Sequence, residues 1–438
     1  MLISERLSLT EIGLLKGSFG ALLVRVCGSI CGFLISLFIA RLSGAEGVGV
    51  YFLAMSFAVV ASTIARIGLD DTVVRFISAH ASSGEWQRVK HVYTVAIKLV
   101  VSTSLILACS LFYFADWIAV ELLKKPFMKA PLQVASACIL PLSLSLIHAE
   151  SLRGLKQIFA SEFIRVLGVP LLSLALLFPM FKVVGNLSAI LAYLVAILLV
   201  SVSAWLLWVR AWKPYRSEGS SHLTNRPSKY IFKSSWPLFG VAITGLLMDR
   251  SGLVFLGVLA SAEDVGLFGI ANQISSMVMF PLFAAMSVLA PKFSALHVKG
   301  ELWKLRDLAQ RSTKLISCIS IPLILIVMMG ADWIISIFGP SFDGGGTVLK
   351  VLLVGVCVNA VTGSVGTLLV MSGFESLVRN VSLLSAFFVM SLFLILIPSY
   401  GAIGAAIGVS SGLALKNITM VLMVRKHLGF IIFHKSEN

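Results

Sequence analysis

In this 438-residue chain, the residues best suited to bind a ligand are the charged side chains inside apolar stretches. Arg25 is followed by Ser29, Gly32 and Ser36 at four, seven and eleven residues, which places all four on one small, polar helix face. Arginine suits phosphate because its planar guanidinium donates two parallel hydrogen bonds. We expect Arg25 either to line a binding cavity or to extend toward the nearer end of its apolar segment.

Three further charges lie in later apolar segments: Asp249, Arg250 and Lys416. Adjacent helical residues do not face each other, so Asp249 and Arg250 do not form a simple pair. Arg250 suits a phosphate or an acidic sugar, with Asp249 as its tuning group or as a proton site; alternatively both pair with other helices. Lys416 follows glycines spaced four residues apart and either enters a cavity or reaches the inner interface.

Uncharged polar side chains in apolar segments are the remaining candidates for ligand contact: Asn272, Gln273 and Asn359. Each could bind sugar hydroxyls, and hydrogen bonding between helices is an equal alternative. Ionisable residues also cluster near residue 70, where Arg66, Asp70, Asp71 and Arg75 have the spacing of an i,i+4 charge ladder. This ladder is predicted to be either an inner gate that breaks when a cavity opens or a solvated helix end.

Composition identifies the solvent around these residues. The chain is 58% apolar and only 13% charged, with a mean hydropathy of +0.98, whereas soluble domains carry about 25% charged residues. Soluble enzymes, nucleic-acid binders and disordered proteins are therefore excluded. A bilayer core needs about 20 apolar residues per helix, and the sequence contains twelve such segments, at 17–41, 47–69, 92–115, 132–151, 161–182, 186–210, 234–258, 264–290, 313–338, 347–371, 376–397 and 402–424.

The distribution of Lys and Arg predicts the orientation of these spans. With the N-terminus inside, 26 of the 35 Lys and Arg fall on the inner side and 6 on the outer side. We therefore expect cytoplasmic segments at 1–16 and 425–438, a cytoplasmic linker at 211–233, and two six-span lobes at 17–210 and 234–424.

The two predicted lobes share an internal repeat. LSGAEGVGVYF (42–52) matches LASAEDVGLFG (259–269) at an offset of 217, and the Gly-Glu loops at 84–85 and 300–301 correspond at 216. Six spans per repeat make the repeats parallel, with a binding site expected between the lobes. The longest outer loop, about residues 116–131, is too short for a catalytic domain, and Asp343–Gly346 lacks the Lys of a P-loop. No enzyme, catalytic residue, metal site or resident cofactor is expected.

Several segments, in order along residues 10–430, resemble one family of membrane proteins. The chain is similar to Wzx-type polysaccharide flippases, in the superfamily that also contains MATE exporters and lipid II flippases. The segments that carry the resemblance are ARLSGAEGVGVYFLAMSF (40–57), GLDDTVVRFIS (68–78), SLRGLKQIFASEFIR (151–165), MSGFESLVRN (371–380) and IPSYGAIGAAIG (397–408).

The resemblance implies an all-α, MATE-like fold in a bacterial inner membrane, and a cargo of oligosaccharide repeat units on undecaprenyl pyrophosphate. Such proteins move this cargo from the cytoplasmic to the periplasmic leaflet for O-antigen (lipopolysaccharide), capsule or exopolysaccharide assembly, with membrane lipids and polymerase or assembly proteins as partners and no nucleic acid. Residues 17–41 contain no Asp or Glu, unlike MATE exporters that bind H⁺ or Na⁺ in the first span. An ion-coupled small-molecule exporter, with H⁺ or Na⁺ as coupling ion, is the alternative; a membrane polymerase or ligase is opposed by the short outer loops.

Overall fold

Helices account for almost all of the chain in the computed structural model, which describes residues 9–215 and 229–430. No strand occurs in these two ranges. The α-helices in chain order are α1 (Leu9–Arg66), α2 (Leu69–Ser82), α3 (Trp86–Trp117), α4 (Lys129–Gly154), α5 (Ile158–Glu162), α6 (Gly168–Val184), α7 (Ser188–Trp212), α8 (Lys229–Leu259), α9 (Ala262–Met277), α10 (Phe280–Val298), α11 (Leu302–Met329), α12 (Ala331–Ser336), α13 (Gly345–Thr362), α14 (Val365–Met371) and α15 (Glu375–Leu428).

Nine helical segments within the described residues are long and apolar enough to cross a membrane. Two of them are kinked pairs: α1 bends at Gly44 (φ 67°) and α15 at Gly401 (φ 49°), both in the left-handed region that favours glycine. Each kink separates two predicted spans. The predicted span at 264–290 is divided between α9 and α10. Helices therefore occupy all twelve predicted segments, and the prediction of an all-α membrane fold is confirmed.

The chain forms two units that differ from the predicted lobes. Unit 1 comprises Met1–Ile35 and Ala54–Ile243, and unit 2 comprises Ser36–Leu53 and Thr244–Asn438. The middle of α1 therefore belongs with the second half of the chain, a grouping that the linear division at 211–233 did not anticipate. Most of that predicted linker, residues 216–228, lies outside the described residues, as do 1–8 and 431–438. Of the predicted terminal segments, residues 9–16 are helical as the start of α1, and residues 425–428 are helical as the end of α15.

Repeat-related residues explain why Ser36–Leu53 belongs to unit 2. A Cβ on Gly49 would collide with the carbonyl oxygen of Ala262, and a Cβ on Gly266 would collide with that of Ala45. Gly49 and Gly266, like Ala45 and Ala262, are partners at the offset of 217. The crossing of α1 and α9 is therefore a symmetric contact between two copies of one small-xxx-small motif, in which glycine lets the two backbones touch.

Each unit also repeats the same Gly-Glu turn. Gly84 and Gly300 have φ of 70° and 71°, and the glutamates that follow them cap α3 and α11 with nearly identical backbone angles. Glu85 pairs with Arg88 at 2.7 Å, and Glu301 pairs with Lys304 at 3.0 Å, three residues ahead in both units. The repeat inferred from sequence thus corresponds to repeated local structure.

Apolar side chains fill the interior of each unit. In unit 1, α4 packs against α3 and α7. Tyr93 of α3 stacks on Trp208 of α7 with ring centroids 4.4 Å apart, and Trp86 stacks on Tyr215 at 3.6 Å. In unit 2, a buried cluster joins α10, α11, α14 and the second half of α15 around Phe293. These interiors hold the helices that carry the charged residues in fixed positions.

Candidate substrate-binding site

Arg25 has a partner that the sequence did not predict. Its Nε and Nη2 atoms donate to the two carboxylate oxygens of Glu162 on α5, each at 2.9 Å. The Arg25 side chain is 50% exposed, while that of Glu162 is 7% exposed. A bidentate pair of this kind fixes the guanidinium plane as well as its position. Arg25 is therefore held in place by an ion pair with a residue 137 positions later in the chain.

A second buried glutamate holds two more arginines. Glu150 of α4 accepts a hydrogen bond from Arg153 at 3.3 Å through one oxygen and one from Arg165 through the other. The positive charges of Arg153 and Arg165 also interact electrostatically with the Glu162 carboxylate. The two glutamates and three arginines therefore belong to one network in unit 1, which we call the arginine cluster (Arg25, Glu150, Arg153, Glu162 and Arg165).

The local backbone explains why Arg25 approaches Glu162. Pro170 has no backbone N–H, so it cannot donate the usual helical hydrogen bond to the carbonyl oxygen of Val166. Residues Phe163–Leu167 form a π-helical turn between α5 and α6. A Cβ on Gly28 would lie 2.6 Å from that same Val166 oxygen. Gly28 is one turn after Arg25, so its missing side chain lets α1 press against the π-helical turn.

In unit 2, three predicted site residues lie within electrostatic range of one another. Asp249 interacts with the charges of both Arg250 and Lys416, and Lys416 interacts with that of Asp249. Asp249 is exposed although it lies inside the membrane-spanning part of α8, whereas Arg250 and Lys416 are half-buried. The side chain of Lys416 is thus placed near a carboxylate 167 residues earlier in the chain, an association that the glycine stripe did not predict.

Two of the three uncharged candidates of unit 2, Gln273 and Asn359, contact other helical segments. Ser36 donates to the side-chain oxygen of Gln273 at 2.7 Å. The Asn359 amide approaches the sulfur of Met279 at 3.9 Å, and the backbone carbonyl of Asn272 accepts hydrogen bonds from two serines of its own helix. For Gln273 and Asn359 these contacts match the alternative of hydrogen bonding between helices.

The predicted inner gate is paired only in part. Arg66 contacts Asp70 at 2.5 Å, but Asp71 and Arg75 are exposed and form no ion pair in the described part of the chain. The Arg66–Asp70 pair has the predicted i,i+4 spacing, but α1 ends at Arg66 and α2 begins at Leu69, with Ile67 and Gly68 at positive φ between them. The Arg66–Asp70 pair therefore bridges a turn between two helices.

One ion-pair group lies at the Gly-Glu turn between α2 and α3, where His80 and Glu85 are outside the membrane-spanning segments. His80 Nδ1 lies 2.7 Å from a carboxylate oxygen of Glu85, whose other oxygen pairs with Arg88 at 2.7 Å. The hydrogen bond with His80, together with Arg88, lowers the pKa of Glu85 below its ordinary value. This group stabilises the turn and holds none of the predicted binding residues.

Sequence reasoning missed the residues around Arg25. The segment 151–165 supports the family resemblance. In it or directly beside it lie Glu150, Arg153, Glu162 and Arg165. The available signal was the alternation of acidic and basic residues at the boundary of two apolar spans. Such residues are costly in a membrane and mark functional sites by default.

Solved structures of membrane transporters have the same fold. A lipid II flippase MurJ in an inward closed conformation matches with a TM-score of 0.73 and 13% identity, over 92% of this chain and 87% of its own. An inward-facing multidrug resistance MATE family transporter matches with a TM-score of 0.74 and 15% identity, over 94% and 98%. A transporter of the same superfamily from Pyrococcus furiosus matches with a TM-score of 0.66 and 16% identity, over 95% of both chains.

The fold defines the class of protein: a multi-pass α-helical membrane protein with the architecture shared by MurJ and MATE transporters. The family follows from the sequence. Residues 14–297 match the family described as "Polysaccharide biosynthesis protein", and the chain belongs to that family. Stage V sporulation protein B of Bacillus subtilis is 27% identical over 109 residues, which is 25% of this chain and only 21% of that relative.

Proposed function

We propose that this protein is a flippase that moves oligosaccharide units linked to undecaprenyl pyrophosphate from the cytoplasmic to the periplasmic leaflet of a bacterial inner membrane. The units would serve O-antigen, capsule or exopolysaccharide assembly, and both termini would be cytoplasmic. Membership of a polysaccharide biosynthesis family, on a fold shared with a lipid II flippase, supports the class of cargo.

The observation that carries the proposal is the presence of cations with exposed or half-exposed side chains inside membrane-spanning helices of both units. Arg25 is exposed in unit 1, and Arg250 and Lys416 are partly accessible in unit 2. A charge at mid-membrane costs about 2.5–3.5 kcal/mol on insertion scales, so a ligand contact is the default explanation. In this proposal the three cations contact the pyrophosphate or an acidic sugar, while Asn272, Gln273 and Asn359 contact sugar hydroxyls. The polyprenyl chain remains in lipid.

Gene deletion in cells tests this function. Polyprenyl-linked oligosaccharides should accumulate in the cytoplasmic leaflet, surface polysaccharide should be lost, and the intact gene should restore it. Arg25→Ala and Arg250→Ala should each reduce surface polysaccharide with the protein still present in the membrane. The matched control is Arg311→Ala, which removes an arginine that is 79% exposed and paired with Asp307. Normal surface polysaccharide in the deletion strain would refute the proposal.

Asp249 favours a second candidate function, an ion-coupled small-molecule exporter. An exposed carboxylate inside a spanning helix, near Lys416, could bind H⁺ or Na⁺ and release it when a cationic compound binds. This function predicts unchanged lipid-linked sugars in the deletion strain together with increased sensitivity to cationic drugs. Asp249→Asn would then abolish the resistance that the intact gene restores.

A further inference from the structure

The arginine cluster presents its cations at the surface of unit 1 and keeps its anions inside. The side chains of Arg25, Arg153 and Arg165 are 50%, 49% and 32% exposed. Those of Glu150 and Glu162 are 6% and 7% exposed. Three accessible positive charges therefore lie over two buried negative charges, and the accessible side of the cluster is cationic.

The ion pairs leave most of the guanidinium donors uncommitted within the cluster. A guanidinium carries five N–H groups. Arg25 uses two nitrogens toward Glu162, and Arg153 and Arg165 each use one toward Glu150. The glutamates thus orient the arginines without saturating them, and the remaining N–H groups are available to an anion with several oxygens.

The supporting backbone is irregular at the same place. Arg165 lies in the π-helical turn Phe163–Leu167, directly after Glu162. Single π-helical turns inside α-helices occur frequently at functional sites, where they redirect side chains. Gly28 allows α1 to contact this turn, so three chain segments converge on the cluster.

We propose that Arg25, Arg153 and Arg165 form a binding site for the diphosphate head of a prenyl-linked lipid, on the predicted inner side of unit 1. The proposal rests on the proposed function and extends it by adding Arg153 and Arg165 as ligand contacts and Glu150 and Glu162 as positioning residues. A diphosphate offers enough oxygens for several guanidinium forks, whereas a phospholipid phosphodiester offers fewer. The cluster therefore selects a diphosphate head over the anionic lipids around it.

Binding of farnesyl pyrophosphate to the full chain tests the proposal. The protein is placed in phosphatidylcholine nanodiscs, and the probe is titrated by calorimetry. Loss of a hydrogen bond to a charged group costs about tenfold in affinity for each arginine removed. The variant Arg153→Gln/Arg165→Gln should therefore bind about a hundredfold more weakly. Arg311→Gln, which removes an ion-paired arginine in unit 2, should bind like the parent. Equal binding by the double variant would overturn the proposal.

Two further measurements separate a diphosphate site from general positive charge. Arg153→Lys/Arg165→Lys keeps both charges and the ability to pair with Glu150 but lacks the planar fork, so it should weaken binding by about tenfold. Its melting temperature reports whether the fold is intact. In nanodiscs that contain phosphatidylglycerol, farnesyl pyrophosphate should bind with unchanged affinity. Unchanged binding by the lysine variant, or displacement of the probe by phosphatidylglycerol, would show a general anion contact and refute the assignment.

The site and the function can fail separately. If deletion of the gene abolishes surface polysaccharide but the glutamine variant binds the probe normally, the site assignment is wrong and the flippase proposal stands. If the variant loses the probe but deletion leaves lipid-linked sugars unchanged, the diphosphate site stands and the flippase proposal is wrong.

Discussion

The helix crossing inside unit 2 allows a quantitative prediction for Gly49→Ala. The added Cβ would collide with the carbonyl oxygen of Ala262 and lie 2.7 Å from its carbonyl carbon. Carbon atoms in contact are normally about 3.5–4.0 Å apart. Since the obstacle is helical backbone and not a side chain that can rotate away, α1 and α9 would have to separate by about 1 Å or more.

That separation sets the expected cost. Overpacking a tight interface costs about 1–3 kcal/mol, and an immovable obstacle places Gly49→Ala near the upper limit. For a cooperative unit of about 150–250 residues, 1 kcal/mol corresponds to about 2–4 °C, so the melting temperature should fall by about 6–12 °C. Gly266→Ala should cost a similar amount, because its Cβ would lie 3.0 Å from the carbonyl carbon of Ala45.

Thermal unfolding of the detergent-solubilised protein, followed by circular dichroism, measures these effects. Gly245→Ala is the matched control: it lies in a helix, nothing is within 4 Å of its added Cβ, and helix propensity favours alanine by about 1 kcal/mol. The double variant Gly49→Ala/Gly266→Ala should cost less than the sum of the single changes, because one separation of the helices relieves both collisions. Strict additivity, or a Gly49→Ala variant as stable as the control, would refute the crossing.

Three other predictions concern ion pairs. Arg25→Gln should destabilise the protein more than Glu162→Gln, by about 1–2 kcal/mol in thermal unfolding, because it removes the hydrogen-bonded cation from a carboxylate that is 7% exposed, whereas Glu162→Gln leaves an arginine that is 50% exposed; equal losses would contradict this. The lowered pKa of Glu85 means that its contribution to stability is present above the ordinary glutamate pKa and is lost as pH falls through the lower folded value. Melting temperature against pH on the acid side should therefore be flatter for Glu85→Gln than for the parent, and parallel curves would exclude the effect. In a double-mutant cycle, Asp249→Asn and Lys416→Gln should show a coupling of about 1 kcal/mol in the free energy of unfolding, because the two charges interact electrostatically. A coupling of zero would show that the two side chains do not interact.

Periodic features of the sequence predicted the helical framework well. Apolar segments of about 20 residues identify spans because lipid offers no partner to an unpaired backbone group. The offset of 217 also pairs Gly49 with Gly266, which meet at the crossing of α1 and α9. Both results rest on features that are visible within a single segment of sequence. These features are the length of an apolar run and the presence of small residues.

The arginine cluster depends on contacts between segments, and this explains why it was missed. Arg25 and Glu162 are 137 residues apart, and no periodic pattern links them. The same reason applies to the division into units. Residues 36–53 join unit 2 through contacts with residues more than 200 positions later, including the Ser36–Gln273 hydrogen bond, so a boundary drawn at the linker could not reveal it.

The repeat duplicates the backbone and the ion pair at each Gly-Glu turn, but not the charges inside the spans. When the offset of 217 is carried back to the neighbouring spans, the position equivalent to Arg25 is Ala242, and the position equivalent to Asp249 is Gly32. Neither replacement can carry a charge, although the Gly-Glu turns and the Gly49–Gly266 crossing are retained. A fold does not determine function, which depends on the side chains placed on it. The charges inside the spans are therefore a property of each unit's own sequence, and the repeat alone predicts neither Arg25 nor Asp249.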